Sequence, residues 1–333
     1  MSCSDPVFRR YDDELAEVVN DAVYHGLVWA WNEVEEHAGR EPHEPEMVAG
    51  IVAHGTPIID AGWRALLRGS GVGVSTAGVF CHQKPYVTAC DGTGTCELGD
   101  LLVAHFHSSP DGSVARRALL LQAKTETHSL SAPNDLVQLA FYRSWPAFTF
   151  GKKKQANPTH EVSPRARTRG AQYLIIDADS PSPSNSVARI AMANRPLHPH
   201  SSLGDEVAAM PLDLGGRAFG SRKAAADEQS RGPGNWTSVV WHLLEGAIGV
   251  YASTPGLGQV PRLTGQPLTS ASNFGTVPPT DLSSMIDSIE ASPDPEVTWN
   301  DDGEGARGFG TIVVHTKATE EGDSSQRLAR RRR

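Results

Sequence analysis

The spacing of apolar residues predicts four helices. Residues 12–37 carry an apolar side chain at every third or fourth position, which is the pattern of a helix with one buried face. Residues 45–67 follow the same period with an interruption at Gly55-Thr56-Pro57, and residues 134–145 form a shorter apolar segment. A fourth helix is predicted to follow Asn235, whose side chain suits the capping position.

Short runs of apolar and β-branched residues predict strands between these helices. They cover 85–89, 101–106, 118–122, 170–177, 186–193 and 309–316. The sequence Pro110-Asp111-Gly112 separates the second run from the third and is a strong turn signal. We therefore expect these two runs to pair as an antiparallel hairpin.

The hairpin brings three polar residues together. Side chains alternate along a strand, so Gln122 and Lys124 project from the same face, roughly 6 to 7 Å apart. Asp100 begins the first strand, and pairing around the turn puts it beside the end of the second. A carboxylate and an amide carbonyl supply the oxygen ligands that Mg²⁺ prefers, and a lysine stabilises charge that develops on a phosphate. The cluster indicates either a phosphodiesterase centre or an ordinary strand pair with solvated ends.

Asp100 with Gln122-Ala123-Lys124 resembles the PD-(D/E)xK nuclease superfamily, in the variant where Gln replaces the middle acid, as in Mrr-like enzymes. The resemblance covers residues 45–177. It implies an α/β fold with a restriction-endonuclease-like core: a helix, a three-stranded antiparallel meander, a second helix and a further strand. It also implies DNA hydrolysis with Mg²⁺ or Mn²⁺, with Asp100 and Gln122 as metal ligands and Lys124 as the catalytic lysine. A role in restriction or phage defence rests on the resemblance alone.

The same resemblance implies further site residues. Many members have a metal-binding glutamate on the first core helix, and Glu46 is the candidate, although an acid there also suits the helix dipole. Gln138 and Tyr142 match the Gln-x-x-x-Tyr element of the RecB-like branch and share one helix face, where Tyr142 could equally be a packing aromatic. Glu97 is either an accessory carboxylate or a solvated strand end.

Charge is unevenly distributed along the chain. The net charge is −9, whereas surfaces that bind DNA are built from Lys and Arg. Basic residues nevertheless concentrate after the second core helix, with Glu161 as the only acid among them. We call this set the basic segment: Lys152, Lys153, Lys154, Arg165, Arg167 and Arg169. It is expected either to follow a nucleic-acid backbone or to form a solvated connection.

Composition restricts the class of protein without identifying it. No run of about 18 to 20 uninterrupted apolar residues occurs, and residues 1–10 lack a signal-peptide core, so we expect a cytoplasmic protein. The four cysteines lack Cys-x-x-Cys spacing, which favours reduced thiols over a zinc or iron-sulfur site. We predict four regions: a helical element at 1–44, the nuclease core at 45–180, an extension at 181–253 with a helix at 235–252, and a loop-rich, partly disordered region at 254–333.

Two classes of function follow from these observations. The first is a magnesium-dependent DNA endonuclease, either monomeric or homodimeric. The second is a nuclease-like fold that binds nucleic acid or a protein partner without hydrolysis. A toxin-type RNase is a third alternative, because the metal chemistry does not distinguish DNA from RNA.

Overall fold

The computed structural model describes residues 5–81, 85–125, 130, 132–151, 158–163, 169–177, 188–194, 196–252, 274–277, 279–289 and 308–318. These residues form a mixed α/β fold around a large mixed sheet with helices on both faces. The predicted α/β class is confirmed. Of the helices in these ranges, none is both long enough and apolar enough to cross a membrane.

Four helices precede the first strand. They are α1 (Asp5–Arg10), α2 (Asp12–Ala38), α3 (Glu44–Gly50) and α4 (Thr56–Leu66), and the π-helical turn Ile51–Gly55 joins the last two. The apolar stripe predicted over 12–37 is the buried face of α2. The predicted interruption near Pro57 coincides with the π turn, because proline has no N–H to continue the regular helical hydrogen bonds.

The backbones of α2 and α3 touch where they cross. A Cβ atom added at Gly26 would lie 2.7 Å from the carbonyl oxygen of Gly50, and one added at Gly50 would overlap the carbonyl oxygen of Gly26. Only glycine fits at either position. This close contact seats α3 on the long helix and sets the position of its first turn, which carries Glu44.

Two sheets contain the strands of the described ranges. The strands are β1 (Val72–Cys81), β2 (Tyr86–Ala89), β3 (Thr95–Glu97), β4 (Leu101–Ser108), β5 (Val114–Thr125), β6 (Phe148–Phe150), β7 (Thr159–His160), β8 (Ala171–Ile176), β9 (Ala188–Ala191), β10 (Pro199–Ser202), β11 (Arg217–Ala218), β12 (Phe274–Gly275) and β13 (Phe309–Ala318). The large sheet has the order β10-β9-β8-β5-β4-β13-β1-β12, with β11 paired to β5, and the small sheet has the order β3-β2-β6-β7.

Helices also follow and separate the later strands. They are α5 (Pro133–Ser144), α6 (Leu203–Ala208), α7 (Arg222–Arg231), α8 (Trp236–Ala252) and α9 (Pro279–Ile289). α8 begins at Trp236, directly after Asn235, as predicted, and the side-chain oxygen of Asn235 accepts a hydrogen bond from the N–H of Trp236 at 2.7 Å.

The predicted hairpin is present and forms the middle of the large sheet. β4 pairs antiparallel with β5, with Leu101 opposite Leu121, and β5 pairs in parallel with β8 across the α5 connection. Because side chains alternate, Leu101 and Val103 pack with α1–α4, whereas Leu102 and Ala104 pack with α5 and α8. Both faces of the hairpin are therefore buried.

The predicted three-stranded meander is not a continuous part of the sheet. Residues 86–89 do form a strand, β2, but it belongs to the small sheet. In chain order, the first strand of the large sheet is β1. β13 lies between β1 and β4 and is antiparallel to β1 and parallel to β4. The late strand predicted at 309–316 is present as β13. Its central position in the sheet could not be predicted from its own sequence, because it depends on pairing with strands that are distant in the chain.

Candidate active site

Asp100 and Gln122 meet at one end of the hairpin. Asp100 lies one position before the Leu101–Leu121 pair, and the side-chain amide of Gln122 donates a hydrogen bond to its carboxylate. The N–H of Ala123 donates to the same carboxylate oxygen, Oδ2, at 2.8 Å. Both side chains are buried. The structure thus brings together two residues that turn and strand register predicted to be neighbours.

A chain of hydrogen bonds determines which way two glutamine amides point. Gln138 on α5 donates from Nε2 to the main-chain oxygen of Glu97 at 3.1 Å and to Oε1 of Gln122. Gln122 in turn donates to Asp100. The main-chain oxygen of Glu97 can only accept, so reversing either amide loses a hydrogen bond of this chain. Gln122 therefore presents its amino group, and not its oxygen, to Asp100.

Tyr142 holds the segment that leads into Asp100. Its hydroxyl donates to the main-chain oxygen of Leu98 at 2.6 Å, and the ring is buried, which raises the pKa of the phenol. Gln138 and Tyr142 share one face of α5 and bind consecutive residues, 97 and 98. The side chain of Glu97 accepts a hydrogen bond from the Tyr86 hydroxyl at 3.3 Å, so Glu97 meets this cluster through its backbone.

Lys124 lies between carboxylates from two helices. Its Nζ atom is 3.2 Å from Oδ1 of Asp135 on α5 and 3.6 Å from Oε2 of Glu44 on α3. Burial lowers the pKa of Lys124, but the negative charges of Glu44, Asp100 and Asp135 outweigh that effect, and the pKa lies above its usual value. The ammonium group is therefore protonated at neutral pH.

Glu46 is engaged elsewhere. Arg40 donates to both of its carboxylate oxygens, at 2.7 and 2.9 Å, and the N–H of His43 donates to Oε2 at 2.8 Å. Glu46 is the third residue of α3 and closes a capping box with His43, which is a structural role for an acid in the first helical turn. The acid of this helix that contacts Lys124 is Glu44, two residues earlier, and a role for Glu46 in the site stays a prediction.

Sequence reasoning missed both Glu44 and Asp135. Asp135 precedes Gln138 and Tyr142 by three and seven residues, and all three are buried on the side of α5 that faces the strands. That spacing was a usable signal. The sequence gives no such signal for Glu44, because both Glu44 and Glu46 flank Pro45. Only the docking of α3 decides which of the two reaches the sheet.

The basic segment falls almost entirely outside the described residues. Lys152, Lys153, Lys154, Arg165 and Arg167 are not described. Arg169 is exposed and donates to the main-chain oxygen of Leu214 at 3.4 Å. Its predicted role in binding nucleic acid stays a prediction, as does that of the other five residues.

Three cysteines within the described ranges have free thiols. Cys81 and Cys96 are buried, and burial raises the pKa of both, that of Cys96 to about 12. Cys90 is exposed. The buried thiols are therefore protonated at neutral pH.

The donor set at the hairpin end fits a hard divalent cation by its chemistry. Within the described residues no three His, Cys, Asp or Glu side chains are grouped to hold a metal by themselves. Mg²⁺ does not need such a group, because it commonly binds one or two carboxylates together with waters and substrate phosphate. The hydroxyl of Tyr173, opposite Gln122 on β8, is buried without a hydrogen-bond partner, which leaves a polar atom for water or a ligand.

The chain matches no protein-family model, no curated protein and no solved structure. The likeness to the PD-(D/E)xK superfamily consequently rests on the residues of this chain alone. Function must therefore be argued from the site.

Proposed function

We propose that this chain is a metal-dependent nuclease that hydrolyses phosphodiester bonds in DNA. The observation that carries the proposal is the convergence of Asp100, Gln122 and Lys124 at one hairpin end, with Glu44 and α5 closing around them. Buried charges are costly, so an ammonium group among three carboxylates needs a reason beyond stability. Phosphoryl chemistry supplies that reason because it requires both cation ligands and a fixed positive charge.

The residues take distinct roles in this proposal. Asp100 is the principal ligand, and a bound Mg²⁺ or Mn²⁺ would polarise the phosphate and lower the pKa of water. Lys124 stabilises the charge that develops on the phosphate oxygens. Glu44 replaces Glu46 as the acid of the first helix. Gln122 orients the Asp100 carboxylate by donating to it, which differs from the ligand role that the resemblance implies.

Cleavage assays test this proposal directly. Supercoiled plasmid, linear duplex, single-stranded DNA and RNA are incubated with the protein in Mg²⁺ or Mn²⁺. We expect DNA cleavage that falls about 100- to 1,000-fold in Asp100→Ala and Lys124→Ala, because each removes a group that stabilises the transition state. The exposed residues Asp227 and Lys317 provide matched controls, Asp227→Ala and Lys317→Ala, which should retain wild-type rates.

Three other outcomes would reject or redirect the proposal. Cleavage that survives both Asp100→Ala and Lys124→Ala removes this site from the mechanism. Binding of DNA without cleavage supports the alternative of a binding module. Cleavage of RNA alone supports the toxin-type RNase.

The basic segment is tested by the salt dependence of DNA binding. Replacing Lys152, Lys153 and Lys154 by Glu should weaken affinity and flatten the plot of log K against log salt, by up to about 0.9 for each phosphate that is no longer neutralised. Lys223→Glu on α7, an exposed residue, is the control for a single charge reversal outside the segment. An unchanged slope would exclude these lysines from the DNA-binding surface.

A further inference from the structure

Asp135 has an unusual position for a first-turn helical acid. It is the third residue of α5, where an aspartate ordinarily faces solvent and interacts with the helix dipole or cap. Here the Asp135 side chain is only 8% exposed, and its Oδ1 lies 3.2 Å from Nζ of Lys124, which is buried to the same extent. Glu44, the other partner of Lys124, is 24% exposed and more distant, at 3.6 Å. Asp135 is therefore the closer and more buried partner.

Stability alone explains this ion pair poorly. Two charges removed from water recover little net free energy from their attraction, and a buried pair can often be replaced by apolar residues without loss. The apolar residues Leu139 and Phe141 already pack α5 into the core. Apolar packing thus already holds α5 in place without a charged pair. We therefore relate the ion pair to the proposed role of Lys124.

A catalytic lysine does not fix the position of its own ammonium group. Its side chain is a flexible chain of methylene groups, so an ammonium group without a partner samples many positions or turns toward water. Gln138, three residues after Asp135 on α5, fixes the Gln122 amide by a hydrogen bond. The same face of α5 therefore contacts two residues on one face of β5. Gln138 contacts Gln122, and Asp135 contacts Lys124.

We infer that Asp135 is a positioning residue that holds the ammonium group of Lys124 beside Asp100, an inference that rests on the proposed nuclease function. Asp135 acts through Lys124 and not on the reacting atoms themselves. α5 is then the element that aligns the hairpin end, because Asp135, Gln138 and Tyr142 each bind a different part of it.

Chemical labelling of lysine tests the inference independently of activity. An amine-acylating reagent is applied to the folded protein, and the rate at Lys124 is measured by mass spectrometry. Asp135→Asn should raise that rate about 10-fold or more, because the ammonium group loses its buried partner. Lys223 and Lys317, both exposed, serve as internal controls in the same sample and should not change. An unchanged rate at Lys124 would overturn the inference.

Kinetics distinguish positioning from a structural role. Asp135→Asn should lower kcat for plasmid cleavage up to about 100-fold with KM unchanged, and Asp135→Glu should recover part of the loss. The double variant with Lys124→Ala should be no slower than Lys124→Ala alone. Asp205→Asn is the matched control, since Asp205 is also the third residue of its helix and binds only the cap. Loss of activity only in proportion to a lower Tm would overturn the inference.

Failure of the two proposals can be told apart. If wild-type protein cleaves neither DNA nor RNA, the nuclease proposal fails, while the labelling rate still decides whether Asp135 holds Lys124. If wild-type protein cleaves DNA and Asp135→Asn behaves like Asp205→Asn in both assays, only the inference about Asp135 fails.

Discussion

Strand β4 carries two buried polar clusters that differ in charge. At its start, Asp100 joins Lys124, Glu44 and Asp135. Farther along, a histidine cluster is formed by His105, His107 and Thr316. Nε2 of His105 and Nδ1 of His107 lie 3.0 and 2.8 Å from the Thr316 hydroxyl, so one threonine serves two rings.

The histidine cluster is neutral at neutral pH. Burial lowers the pKa of His105 well below its usual value and that of His107 to about 4, and neighbouring histidines add to both effects. Neutral imidazoles and a hydroxyl can satisfy one another by hydrogen bonds, and the edge of Phe8 packs against His107. This arrangement links β4 to β13 without leaving a charge in the core.

The difference separates structure from function. Both clusters are buried, so burial by itself does not identify a site. The histidine cluster has neutral members bonded to one hydroxyl, whereas the ammonium group of Lys124 lies in the field of three carboxylates, those of Glu44, Asp100 and Asp135. Ionised groups are costly to bury, and under the proposed function this arrangement serves to bind a cation and a phosphate.

The largest expected effect compares the two clusters by the rate of DNA cleavage. Lys124→Ala should lower the rate of DNA cleavage about 1,000-fold, equivalent to about 4 kcal/mol of activation free energy. Thr316→Val in the histidine cluster should change it by less than about threefold. Rates are measured on supercoiled plasmid at a temperature where both variants are folded. Equal losses in the two variants would remove the distinction.

The next effect concerns acid stability. His107 has a lower pKa when folded than its unfolded value near 6.5, so the unfolded chain binds its proton first as the pH falls. Its contribution is intact above about pH 6.5 and is lost as the pH falls toward about 4, which amounts to about 3 kcal/mol.

Urea unfolding between pH 4 and 8 measures this contribution. His107→Phe should reduce the slope of the unfolding free energy against pH between about 4 and 6.5 by the contribution of one proton, while other buried histidines such as His105 keep theirs. His25→Phe, at an exposed position of α2, is the control and should keep the wild-type slope. A wild-type slope in His107→Phe would contradict the pKa assignment.

A smaller effect is expected from Thr316→Val on stability. The substitution preserves shape but removes the hydroxyl that bonds both rings, so we expect a loss of about 2 kcal/mol in the free energy of unfolding. Urea denaturation at pH 7.5, where the rings are neutral, measures it. Thr95→Val in β3, where threonine is exposed, controls for the strand preference of valine. No loss in Thr316→Val would show that water replaces the hydroxyl.

The smallest effects compare the two acids of α3. Glu46→Gln should reduce stability by about 1 kcal/mol through its cap and its ion pair with Arg40, and leave cleavage unchanged. Glu44→Gln should do the reverse, lowering cleavage about 10-fold with little effect on stability, because Glu44 contacts Lys124. Thermal melts and plasmid cleavage are measured on both. The opposite pattern would restore Glu46 as the site acid.

Local patterns were sufficient for some elements and not for others. The hairpin followed from a Pro-Asp-Gly turn between two apolar runs, and the helix after Asn235 followed from its cap. β1 was missed because its glycines lower the strand signal. Strands β3, β6 and β7 of the small sheet were missed because they are only two or three residues long and gain their stability from packing.

The sequence by itself determined that Asp100, Gln122 and Lys124 would meet, because turn chemistry and the two-residue period of a strand act over short distances. Only the tertiary structure decided what surrounds them. It put β13 beside β4 and brought Glu44, and not Glu46, to Lys124 through the docking of α3. Those choices depend on how helices and distant strands pack, and no local pattern encodes that packing.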